Sequence, residues 1–85
     1  MESPRKRVLR VLEKLGFPGA CYDWITGHRV TVMFIENGSP KWYRGTIMES
    51  TNGMTRFEFD DGETHHFYVD EMEAMERNGE MKMAK

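Results

Sequence analysis

The chain is poor in the features that would give it an easy identity. It has one cysteine, Cys21, so no internal disulfide can form, and a reducing compartment, cytosol or nucleus, is expected. No apolar run approaches the roughly 18 residues of a membrane span. The N-terminal residues also lack the apolar core of a secretory signal, so no membrane partner is expected. A strong charge of one sign is missing too. At a net charge of -2 the chain as a whole is no electrostatic magnet for nucleic acid. There is no internal repeat.

The motifs of catalysis and metal binding are equally scarce. No paired-cysteine or helical two-histidine spacing occurs, so no metal site and no cofactor are expected. His65 and His66 are neighbours on a strand and point to opposite faces, so they cannot chelate one ion together. Asp60 and Asp61 are likewise on opposite faces and form no carboxylate dyad. Neither Cys21 nor His28 changes this, and an enzyme is not expected.

What is present fits one small soluble domain. At 85 residues the core is marginal and must be built economically. The charge is uneven. Residues 1–16 carry five bases against two acids, and residues 49–85 carry ten acids against four bases. The basic cluster at residues 5–10 is compatible with nuclear import.

Residues 3–16 read as a helix. Ser3 suits its N-cap and Pro4 its first position. Val8, Val11, Leu12 and Leu15 recur at helical spacing, and Gly16 is a natural stop. Arg7, Arg10 and Lys14 form a second, charged stripe. The stripe has two readings. It is the solvated face of a helix packed on the domain, or, with Arg5 and Lys6, it contacts nucleic acid or an acidic partner. Residues 16–28 are a Gly- and Pro-bearing connector that holds Tyr22, Trp24 and Ile25, which plug a small core or wall a site.

Four strands follow, at residues 29–35, 41–48, 55–59 and 63–69. Asn37-Gly38, Thr51-Asn52-Gly53 and Asp60-Asp61-Gly62 supply the turns between them. A last short strand or turn is expected to hold Met72 and Met75. Residues 77–85 are expected to be a frayed tail, with the methionines there filling gaps or lying in the tail. The expected organisation is a basic helix and connector over 1–27, a barrel over 28–76 and a flexible tail over 77–85. The fold class is mainly β: a small antiparallel barrel of about five strands with an N-terminal helix.

Alternation fixes which side faces in. Val30, Val32 and Phe34 share one face, as do Tyr43, Gly45 and Ile47, then Thr55, Phe57, Phe59 and Asp61, then Glu63, His65, Phe67 and Val69. Followed outward to the turns, this face brings Phe34, Tyr43, Phe59, Asp61, Glu63 and His65 to one rim. Ring faces attract a cation and a carboxylate adds Coulomb attraction, so such a rim suits a methylated ammonium. Rings at a barrel end also simply close a core, and Asp61 before Gly62 is an ordinary turn residue.

At these residues the chain resembles the Tudor domains of the Royal superfamily. The resemblance rests on Val30-x-Val32-x-Phe34, the Asn37-Gly38 turn, Trp42-Tyr43-Arg44-Gly45-x-Ile47, and Phe57-x-Phe59-Asp60-Asp61-Gly62-Glu63, about half of the chain. It implies a strongly bent, SH3-like antiparallel sheet. It also implies a nuclear, chromatin-associated reader that binds methylated lysine or arginine, most often on a histone tail, through an aromatic cage. The cage positions fall on Phe34, Tyr43, Phe59 and Asp61. Where a further aromatic is often found on the fourth strand, this sequence has Glu63 and His65, with Phe67 deeper. The second expectation is a Tudor-like module with an incomplete cage that binds nucleic acid or a protein through its basic N-terminal helix, at Arg5, Lys6, Arg7 and Arg10, with no mark involved.

Overall fold

The computed structural model describes residues 3–17, 27–51 and 53–84. The element order is α1 (Pro4–Leu15), β1 (Arg29–Glu36), β2 (Ser39–Thr51), β3 (Met54–Phe59), β4 (Thr64–Tyr68), α2 (Val69–Arg77) and β5 (Met81–Met83). The domain is mainly β. Its strands form one antiparallel five-stranded sheet in the order β4-β3-β2-β1-β5. Tyr22, Trp24, Ile25 and Cys21 lie outside the described residues, as does Asn52 of the second turn.

The hairpin at Asn37-Gly38 forms as the sequence predicts. Glu36 pairs Ser39 across a two-residue loop, with φ of 50° at Asn37 and 79° at Gly38. Both residues must be left-handed in a turn of this twist, which is what Asn-Gly provides. β2 is longer than expected and serves two ladders. Residues 39–46 pair β1 and residues 45–51 pair β3, with an irregularity between Ile47 and Glu49 that bends the strand. Pro40 is tolerated inside β2 because that half of the strand pairs on one side only.

The predicted face is the core face. Val30, Val32, Ile47 and Phe57 are fully buried, and Phe59, Phe67 and Val69 nearly so. α1 is part of the same core through Val8, Leu9, Val11 and Leu12. Ser3 caps it by accepting the Lys6 N–H. Gly16 ends it at φ 98°, with Gly16 and Phe17 N–H donating back to Glu13 and Leu12 carbonyls.

Three expectations are corrected. Among the described residues the sheet does not close into a barrel, because no ladder joins β4 to β5. α2 leaves the end of β4 and touches both edge strands, covering part of that gap. Met72 and Met75 lie on this helix and not on a strand. Val69 and Met72 are three apart and buried, Asp70 and Glu71 favour the first turn, and Glu71 Oε1 accepts the Tyr68 N–H. Nor is the C-terminal segment frayed. Gly79 turns the chain at φ 74°, and β5 pairs β1 with Met81 fully buried. Met72 and Met81 do fill gaps in the core. Among the described residues no helix is long and apolar enough to cross a membrane.

Candidate functional site

The six residues expected at one rim line one open cavity of about 320 Å³: Phe34, Tyr43, Phe59, Asp61, Glu63 and His65. Register explains why. Val32 pairs Tyr43, and Phe34 lies on the same face two residues on. Gly45 pairs both Val30 and Phe59, so β2 carries Tyr43 and Phe59 beside the end of β1. Gly45 has no side chain for a physical reason. A Cβ there would lie 2.8 Å from Phe59 Cδ1 and 2.9 Å from the Glu58 carbonyl oxygen, so only glycine lets the Phe59 ring settle against β2.

The rings form a corner. Phe34 and Tyr43 have centroids 5.8 Å apart at 65°, Phe34 and Phe59 5.8 Å at 73°, and Tyr43 and Phe59 6.3 Å at 72°. Each plane is therefore steeply inclined to the other two. Phe59 is nearly buried and makes a floor, while Phe34 and Tyr43 are half-buried walls. His65 adds a ring 5.5 Å from Phe34, itself backed by Phe67 at 4.5 Å.

Three carboxylates stand around this corner. Asp61 Oδ1 accepts the Glu63 N–H at 2.9 Å, so Asp61 is the turn residue that its place before Gly62 suggested and also a cavity-lining acid. The Glu63 side chain has no ion-pair partner among the described residues. The third acid, Glu36, was not singled out in the sequence. It accepts a hydrogen bond from the Tyr43 hydroxyl and sits 3.5 Å from Lys41 Nζ. That hydrogen bond, then burial, raises the Tyr43 phenol above its ordinary value, so it stays a neutral donor near pH 7. Glu36 shares the parity of Phe34, which is the signal that could have found it. Ile35 and Thr64 also line the cavity from the opposite parity, where no sequence signal pointed to them.

The neighbouring acid has another use. Asp60 receives two hydrogen bonds from Arg29, at 2.8 and 2.7 Å, and Arg29 also donates to Thr46 Oγ1. The guanidinium holds the Asp60 carboxyl below the usual range. Of the two adjacent aspartates, one is tied to Arg29 and the other faces the cavity.

The basic residues of α1 lie elsewhere. Arg7 is bonded to Asp70 and Glu73 of α2, at 3.0 Å from its Nε to Glu73 Oε2, and Lys14 is 3.8 Å from Glu76. Arg5, Lys6 and Arg10 are exposed, and each has an interaction partner. His28 is buried with its ring 4.6 Å from Phe17, away from the rim. Among the described residues no group of three His, Cys, Asp or Glu side chains could hold a metal ion.

Comparison with protein-family models, with curated proteins and with solved structures returned no match. Fold and site therefore define a class by themselves: a mainly-β domain with one five-stranded antiparallel sheet and two helices, carrying a ring-lined, acidic cavity at the sheet's rim.

Proposed function

We propose that this domain is a chromatin reader of the Tudor type, which binds methylated lysine in a histone tail or similar peptide and performs no catalysis. The observation that carries the reading is the corner of three steeply inclined rings lining a cavity with three carboxylates. The three centroids lie 5.8, 5.8 and 6.3 Å apart, close enough for one guest to sit within the ~6 Å over which each ring attracts a cation.

A methylated ammonium is the cation that fits. It is bulky and weakly hydrated, so leaving water costs it little, and it keeps its charge for the carboxylates. A bare lysine loses more hydration on entry. Tyr43 is held in place by Glu36, which fixes one wall before the ligand arrives. Work in the nucleus follows from a histone partner and agrees with the basic cluster at residues 5–10.

The test is a methylated-peptide array followed by titration of the strongest hit against Tyr43→Ala and Phe34→Ala, with folding checked by circular dichroism. Each ring contributes about 0.5–2 kcal/mol, so each variant is expected to bind several-fold to tens of times more weakly. Two folded variants that bind as the parent does would end the cage reading.

A further inference from the structure

A cage holds one side chain. The residues on either side of it need a support of their own, and the fold leaves one beside the cavity. Among the described residues β4 pairs β3 on one side and no other strand. In an antiparallel ladder alternate residues turn both backbone groups toward the partner strand, and the residues between turn both away. Two bonds fix the phase here. Phe59 N–H donates to the Glu63 carbonyl at 2.8 Å, and Val69 N–H donates to the Gly53 carbonyl at 2.9 Å. Glu63, His65, Phe67 and Val69 therefore address β3, and Thr64, His66 and Tyr68 address the outside. Tyr68 agrees with this phase, since its N–H goes to Glu71 Oε1 at the start of α2. Thr64 and His66 have no such bond among the described residues, so their N–H and carbonyl groups stand on an open edge.

We infer that this edge is an extended-peptide site: a basic segment joins the sheet as an antiparallel strand beside β4, and its residue opposite His65 sends its side chain into the cavity. The proposal rests on the cage reading for what enters the cavity. Alternation supplies the direction. Residues opposite each other across a ladder share a face, and His65 lies on the cavity face. The two flanking peptide residues lie opposite Thr64 and His66, exchange backbone hydrogen bonds with them, and point their side chains away from the cavity.

Charge selects a basic partner. Glu36, Asp61 and Glu63 line the cavity side, and Glu58 pairs Thr64 on the other face. Two nearby cations are engaged, Lys41 with Glu36 and Arg56 with Glu49 at 3.3 Å. The open edge is short, with two outward-facing residues, which suits one lysine in one register and gives little for a second copy of the domain to pair with.

The test compares a basic peptide of about seven residues, a typical strand length, carrying a central trimethyllysine, with N-acetyl trimethyllysine methylamide. Amide exchange is followed on the labelled protein. The peptide is expected to bind on the order of tenfold more tightly than the single residue, through the added backbone bonds. It should slow exchange at Thr64 and His66, and leave His65, whose N–H already lies in the ladder, unchanged. Methylating the backbone nitrogens of the residues flanking the trimethyllysine should remove the gain, whereas methylating the trimethyllysine's own nitrogen should not, because that N–H points away from β4.

A peptide no tighter than the single residue, or equal losses from all three N-methylations, would overturn the edge proposal and leave the cage standing. A single residue that fails to bind while the peptide still protects Thr64 and His66 would overturn the cage and keep the edge. Protection that grows with protein concentration in the absence of peptide would show self-pairing of β4 and overturn the proposal.

Discussion

Two regions of this domain hold similar acids and use them in opposite ways. In the seam between α1 and α2 the carboxylates are matched. Arg7 is bonded to Asp70 and Glu73, and Lys14 lies beside Glu76. At the cavity rim, among the described residues, only Glu36 has a cation, Lys41. Asp61 uses one oxygen on a backbone N–H, and Glu63 has no ion pair among the described residues. Acids matched by cations hold the fold together. Acids left without them, around rings on an open cavity, are available to a ligand. Arg7 belongs to the matched region, so an anionic partner of α1 would compete with Asp70 and Glu73 for its guanidinium.

Changes in the seam and core should therefore alter stability and spare binding in the surviving folded protein, while changes at the rim should do the reverse. The largest effect expected is at Met72, fully buried on α2. Met72→Ala should cost about 2–5 kcal/mol in denaturant unfolding, with the ligand affinity of the folded fraction unchanged. A loss near zero would mean that α2 is no part of the core.

Gly45→Ala tests where the comparison breaks down, because Gly45 is both core and site. The new methyl would strike Phe59 and the Glu58 carbonyl. About 1–3 kcal/mol of stability should be lost, together with ligand affinity as the floor ring moves. Unchanged affinity would show that Phe59 is not the floor of the site. Asp61→Asn should do less, weakening a dimethyl peptide, which keeps an N–H donor, more than a trimethyl one in paired titrations. Equal losses for the two states would remove Asp61 as the selecting group.

The smallest effect is in the seam's response to acid. The Arg7 hydrogen bond holds the Glu73 carboxyl below its ordinary range. A carboxyl lowered by folding stabilises the domain above its unfolded pKa, and that contribution is lost as pH falls through the folded value. Glu73→Gln should therefore flatten the acid side of the stability profile and leave the neutral affinity alone. An acid limb as steep as the parent's would place the titrating group elsewhere.

Much of this was legible in the sequence because the strands alternate cleanly. Val30-x-Val32-x-Phe34 and Phe57-x-Phe59-x-Asp61 put the core and the rim on one parity, and the register carried them to one cavity. Asn37-Gly38 fixed the hairpin because few other pairs accept two left-handed residues. The C-terminal third was harder to read. Val69 ends a strand-like run and at the same time begins a nine-residue helix, too short for its period to stand out. Asn78-Gly79 and the alternating charges beyond it resemble a tail, yet Met81 is buried because β1 offers it a free edge. Glu36 lies one residue beyond the predicted end of the first strand, although its parity places it beside Phe34. Closure into a barrel depends on how β4 and β5 meet, and no local pattern records that.

The central claim is that this cavity reads positive charge through ring faces, not greasiness alone. The most direct measurement titrates the domain with two peptides that differ in one atom, one with trimethyllysine and one with its neutral tert-butyl isostere in which carbon replaces the ammonium nitrogen. The charged peptide should bind at least several-fold more tightly, as cation–π and carboxylate attraction require. Equal affinities, or no binding of either, would contradict the account.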